Sequence, residues 1–147
     1  MKRSGTAKSS TKRKHRRVGS PEKWLAHAQS DLNLARLAKN HKSVLPEQAC
    51  FHAQQACEKA LKAVLLFEKR EFPLVHDIEV LLEIVKDGGL RVPKEVRGAG
   101  ALSPYAVEAR YPGYDEDVTP SDVEEAIRLA VSTVEWAARI LITRRRL

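Results

Sequence analysis

Apolar residues recur along most of this chain at alternating steps of three and four, the period of a helix face rather than of a strand. Leu25, Ala28, Leu32 and Ala35 mark the first stripe. Ser20-Pro21-Glu22 precedes it, with an N-cap residue, a proline at the first helical position and an acid near the positive end of the dipole. The spacing predicts a helix to about Asn40 and a linker from His41 to Leu45. Pro46 then opens a second helix, to about residue 69, in which Ala49, Ala53, Ala56, Ala60, Ala63 and Phe67 form a seam made almost wholly of alanine. Such small side chains let a partner helix approach within the roughly 8–10 Å of close packing. Cys50, Cys57, Leu61 and Val64 widen the apolar arc, and Gln54, Gln55, Glu58, Lys59 and Lys62 are expected on the opposite, polar side. This is the central helix, buried over more than half its circumference.

Pro73 breaks the pattern, His76-Asp77 opens a third helix to about Lys86, and Gly88-Gly89 stops it. Pro93 begins a short helix weakened by Gly98 and Gly100 and ended by Ser103-Pro104. Residues 104–118 (PYAVEARYPGYDEDV) read as a long irregular connection. Thr119-Pro120-Ser121-Asp122 caps the last helix, where Val123, Ile127, Ala130, Val134, Ala137 and Leu141 again alternate by four and three. With no strand-like alternation, internal repeat or coiled-coil array, the expected fold is all-α: an antiparallel up-and-down bundle of four to five helices in one domain, residues 20–143.

Composition supports this class. Of 147 residues 43% are hydrophobic and only 5% aromatic, enough for one helical core. No apolar run approaches the roughly 20 residues of a membrane span, and the basic N-terminus lacks the apolar stretch of a secretory signal, so a cytoplasmic protein is expected. The net charge of +7 is unevenly spread: residues 1–19 hold eight Lys/Arg and no acid, and Arg144, Arg145 and Arg146 make a second basic end. The N-terminal segment has almost nothing to bury and is expected to be disordered, serving as a nonspecific arm for polyanions or as a solubilising leader. Cys50 and Cys57 would lie roughly 10 Å apart along one helix, too far for a disulfide, and read as buried thiols.

Three short elements, in order, carry a resemblance. FHAQQACEKALKAVL (Phe51–Leu65) contains Gln54, Gln55, Glu58, Lys59 and Lys62; His76-Asp77 follows; Tyr105 then precedes Arg110, Tyr111 and Pro112. Together they resemble the HEPN family (higher eukaryote and prokaryote nucleotide-binding domains), and within it the small prokaryotic members encoded beside minimal nucleotidyltransferases. The resemblance covers about residues 20–143. It implies a helical bundle, usually a homodimer, that binds a nucleotide or RNA and partners a nucleotidyltransferase, in some cases within a toxin–antitoxin-like system. Other members are ribonucleases with an Arg-x4–6-His motif. Arg70 and His76 match that spacing, but they flank Pro73 between helices, whereas the family's catalytic pair lies on a later helix, and no histidine follows His76.

The candidate chemistry is accordingly that of binding. Arg110 offers a planar fork of donors for phosphate, with Tyr105, Tyr111 and Tyr114 near it in sequence to stack on a base; structurally, it could instead pair with Glu108 or Asp115. Lys59 and Lys62 could complete an anion pocket, or Glu58 and Lys62 could form a plain i,i+4 pair. His76 is a possible general acid–base group, or with Asp77 a helix cap. No metal-ligand spacing or nucleotide-loop motif points to a metal or cofactor. Two alternatives to a binding module stay open: a ribonuclease using His76, and a purely structural interaction protein.

Overall fold

A computed structural model describes residues 19–107, 109, 111–113 and 116–145. The basic arm at 1–18, and Glu108, Arg110, Tyr114, Asp115 and the last two residues, lie outside the described residues. The described chain holds five α-helices and one 3-10 segment and no strand: α1 (Pro21–Lys39), α2 (Pro46–Phe67), α3 (Ile78–Asp87), α4 (Lys94–Arg97), the 3-10 segment Gly98–Ala106 and α5 (Pro120–Arg145). The all-α fold predicted from the periodicity is the one observed.

The helix starts follow the expected chemistry. Ser20 Oγ accepts from the Lys23 amide at 3.2 Å, and Asp77 Oδ1 accepts from the Glu79 amide at 2.9 Å. At α5 the capping is reciprocal: Thr119 Oγ1 accepts from the Asp122 amide, and Asp122 Oδ2 accepts from the Thr119 amide. α2 stops two residues earlier than its pattern suggests. The Arg70 amide donates to the Leu65 carbonyl and the Lys69 amide to the Leu66 carbonyl, with Lys69 left-handed at φ 56°. This Schellman turn sends the chain back along the helix it has just left.

α1 runs antiparallel to α2, since Trp24 lies beside Lys62 and Asp31 beside Lys59 and His52. It is antiparallel to α5 too, with an ion pair from Lys39 to Glu124 at one end and a groove between Leu25 and Leu141 at the other. The doubled-back connection places His76 beside Glu58, so α3 starts alongside the middle of α2 and ends where Val85 and Gly88 meet Leu65. All the alanines of the α2 seam are buried, and Phe67 is half-buried. Every member of the α5 stripe is likewise buried except the half-buried Ile127.

Both cysteines are free and buried. Burial pushes Cys50 up to about 11 and Cys57 to about 12, opposed in part by side-chain hydrogen bonds with Tyr105 and Thr133 respectively. Neither thiol should react with an aromatic disulfide reagent at pH 8 in the native state, and both should react in denaturant. Because the unfolded thiols ionise near 9.0 while the folded ones hold their protons to about 11 and 12, their contribution to stability should be constant below pH 9 and fall above it. In the seam, Ala56→Leu should lower the unfolding free energy by about 1–3 kcal/mol, because Ala56 is fully buried in the packed core and the larger side chain would overpack it; urea melts measure this.

Candidate functional site

Gln54, Glu58 and Lys62 recur every fourth residue on α2, a spacing that suggests a face turned to water. They are instead buried, with relative exposures of 0%, 4% and 5%. The reason is mutual compensation. Glu58 accepts from Lys62 Nζ at 2.8 Å and from Gln54 Nε2 at 3.1 Å, and His76 Nδ1 lies 3.0 and 3.2 Å from its two carboxylate oxygens. Gln54 also donates to the His76 carbonyl at 3.0 Å. Lys62 Nζ lies 5.7 Å from the Trp24 ring centroid and 5.8 Å from that of Phe72, a distance at which an ammonium is attracted to a ring face. The charged line is therefore enclosed by α1 and the 68–77 connection, and it reaches solvent at His76, whose side chain is 65% exposed. An ionised carboxylate only accepts, so His76 Nδ1 donates to Glu58 and Nε2 is left as the ring's other functional nitrogen.

The other expected site residues fall in different places. Lys59 pairs with Asp31 of α1 at 2.6 Å, and His52 reaches the same carboxylate at 3.3 Å. The i,i+4 pairing of Glu58 with Lys62 holds, but as a buried pair. Asp77, not His76, is the helix cap. Arg70 lies against Gly88 at the far end of α3 from His76. Ten residues of helix, about 15 Å, separate those two ends, so the Arg-x5-His spacing does not assemble a pair. Tyr105 is half-buried and hydrogen-bonds the Cys50 thiol. Lys59 lies nine residues further along α2 than Cys50, about 13 Å in rise, so the lysines do not join Tyr105 in one pocket. Tyr111 is exposed, and Arg110 lies outside the described residues.

Tyr105 instead lines a cleft of about 460 Å³ with Ala101, Leu102 and Leu129, ringed by Lys94, Glu95, Asp122, Glu125 and Arg128. That volume is within the usual range of small-ligand sites. Lys94 and Glu95 also form a wall of a second, open groove of about 700 Å³, whose other charged residues are Lys86, Arg91 and Arg97. Two cations and three carboxylates line the cleft, against four cations and one carboxylate in the groove. Arg128 is taken up by Glu125, whose carboxyl that guanidinium holds below its ordinary range. In the groove Lys86 has only a 3.6 Å contact to Glu83, and Arg91, Lys94 and Arg97 make no ion pair among the described residues. These groove cations do not stand out in the sequence, because two to four other residues, Asp87 and Glu95 among them, separate each from the next and no charge run forms. Among the described residues no group of His, Cys, Asp or Glu is placed to hold a metal, and no helix is long and apolar enough to cross a membrane.

An alanine-seamed helical bundle with an enclosed charge line on its central helix defines a class of small all-α domain. The chain belongs to the HEPN family: the HEPN domain model matches residues 21–141. It is similar to the crystal structure of an archaeal HEPN homologue, with 29% identity, a TM-score of 0.67, and 82% of this chain and 97% of that one covered. It is also similar to the crystal structure of a protein from Thermus thermophilus, with 27% identity, a TM-score of 0.68, and 81% and 96% covered. No curated protein matches the chain.

Removing one partner of the buried pair should be costly, because the other charge stays in the core. Lys62→Met should lower the unfolding free energy by about 3 kcal/mol, and Glu58→Leu combined with it should restore most of the loss. Urea denaturation of the single and double variants reads this. A single-variant loss under about 0.5 kcal/mol, typical of surface positions, would contradict the compensation.

Proposed function

We propose that this HEPN protein is a nucleotide- or RNA-phosphate-binding module that works in the cytoplasm with a nucleotidyltransferase partner, as part of a toxin–antitoxin-like pair. The observation that carries the binding reading is the adjacency of the Tyr105 cleft and the cationic groove, which share Lys94 and Glu95. A base needs an apolar slot with an aromatic neighbour and a few polar edges, which the cleft offers. A phosphate needs donors well in excess of carboxylates, which the groove offers with four cations to one carboxylate. The ordered motifs at Gln54–Lys62, His76-Asp77 and Tyr105–Pro112 support the partnership, since they resemble the family branch encoded beside minimal nucleotidyltransferases. A homodimer is the assembly this reading expects. Arg110 and Tyr111 follow Tyr105 closely in sequence and are proposed as further ligand contacts, whereas Lys59 and Lys62, candidates on sequence grounds, are committed to Asp31 and Glu58.

A second reading rests on His76, because Glu58 fixes one ring nitrogen in the manner of an orienting carboxylate and most of the ring is exposed. It expects RNA cleavage that disappears in His76→Ala.

Stacking on an aromatic side chain contributes about 1–3 kcal/mol per base. Calorimetric titration with AMP and ATP should therefore show Tyr105→Ala binding at least about fivefold more weakly, with Tyr105→Phe near wild type. Arg110→Ala should weaken ATP more than AMP. Equal affinity across all four proteins would remove the site, and absence of binding to wild type would remove the function.

A further inference from the structure

His76 is the member of the Glu58 network that reaches solvent, and its reactive nitrogen is decided by that network. A histidine attacks through the nitrogen that carries a lone pair, and which nitrogen that is depends on where the ring proton is held. The two oxygens of Glu58 lie 3.0 and 3.2 Å from Nδ1, so the proton is held at Nδ1 and the lone pair is left on Nε2. Nε2 makes no hydrogen bond among the described residues, and the side chain is 65% exposed. Glu58 is itself fixed, since Lys62 and Gln54 both donate to it, and Gln54 also holds the His76 carbonyl. A nucleophile, a carboxylate beside it and groups that orient the carboxylate are the parts of an activated nucleophile. Lys62 also offsets the Glu58 charge, so the pair repels an incoming anion less than a lone carboxylate would.

A base acting on a bound substrate needs a cleft to hold that substrate, and His76 lines none of the clefts described above. A group taken from a donor in free solution needs only an accessible ring. Among transferable groups, an acyl imidazole hydrolyses quickly in water, whereas an N–P bond on imidazole persists at neutral and alkaline pH.

We propose that His76 is a phosphoryl acceptor, modified at Nε2 by a donor of the phosphoramidate class. The Nε2 lone pair attacks phosphorus and forms the new N–P bond, while the donor's own N–P bond breaks and its electron pair leaves with the amine. The ring becomes an imidazolium whose Nδ1 proton stays in the bond to Glu58, which stabilises the positive charge as it forms. Loss of that proton to water leaves neutral phosphohistidine, and nothing is oxidised or reduced. No part of this step involves the Tyr105 cleft.

The test incubates the full chain with phosphoramidate at about pH 8, where imidazoles are neutral, and maps modified histidines by mass spectrometry under alkaline conditions. His27 and His41 serve as references, being exposed histidines with no carboxylate bonded to the ring among the described residues. His76 should be modified at least about fivefold faster than either, and phosphorus NMR should place the group on Nε2. The double variant Glu58→Gln/Lys62→Met removes the carboxylate without leaving Lys62 unpaired, and it should lower the His76 rate to that of the references. Circular dichroism with a thermal melt checks that this variant keeps the bundle. The wild-type comparison needs no variant and decides the matter even where the double variant does not fold. A smaller rate difference, or phosphorus on Nδ1, would overturn the proposal. An unchanged rate in the folded double variant would overturn activation by Glu58.

Discussion

Glu58 is a carboxylate in the interior of the bundle, and the arrangement of the α2–α3 region follows from the need to compensate it. An ionised side chain at 4% exposure is expensive unless several donors converge on it. Lys62 and Gln54 come from the same helix at a spacing of four, which places them above and below Glu58 on one face. The third donor, His76, must come from elsewhere, and it arrives because the Schellman turn at Lys69 returns the chain along α2. The Gln54 bond to the His76 carbonyl then fixes the backbone as well as the ring. A buried pair of this kind contributes less to stability than an apolar pair of the same size would. What it specifies here is register, since only one alignment of the connection brings His76 to Glu58.

The opposite requirement governs the seam. Alanine adds almost no side-chain bulk, so α1 can approach α2 closely enough for Asp31 to reach both His52 and Lys59 from across the interface. α2 thus carries two kinds of contact around its circumference: a small-residue seam that sets helix spacing, and charged residues that set direction and register. At its far end Glu68 meets Arg144 of α5 at 3.3 Å. That arginine reads in sequence as part of a basic tail, and in the structure it closes the end of the bundle.

The helices were legible because their signals are local. N-cap residues, prolines at first positions and steps of three and four each act within one or two turns, and α1, α2, α3 and α5 begin within a residue or two of where those signals fall. The charge line was not, for a physical reason: Gln54, Glu58 and Lys62 at steps of four describe a solvated stripe as well as a buried network. The residue that distinguishes them, His76, is 18 positions from Glu58. Arg70 and His76 show the converse, a spacing that looks meaningful along the chain and is lost in space. His76 stands just before α3, whereas Arg70 packs on Gly88 at that helix's other end. Tyr105 was legible as a candidate, but its surroundings were not, because Lys94 and Arg128 reach the same cleft from different helices.

The interior network and the exterior cleft are also physically continuous. His76 is bound to Glu58, and the next residue, Asp77, caps α3. Ser103 Oγ accepts from the Ile78 amide at 3.0 Å and lies 3.4 Å from Asp77 Oδ1, tying the 3-10 segment to the start of α3. Gly100 lies at the same junction, where the end of the Glu79 side chain occupies the space that a Cβ would take. Tyr105 follows two residues after Ser103, on the segment so anchored. A one-turn helix and a 3-10 run have little intrinsic stability of their own. The wall that carries Tyr105 therefore owes its placement to α3, and the start of α3 owes its placement to the donors gathered around Glu58.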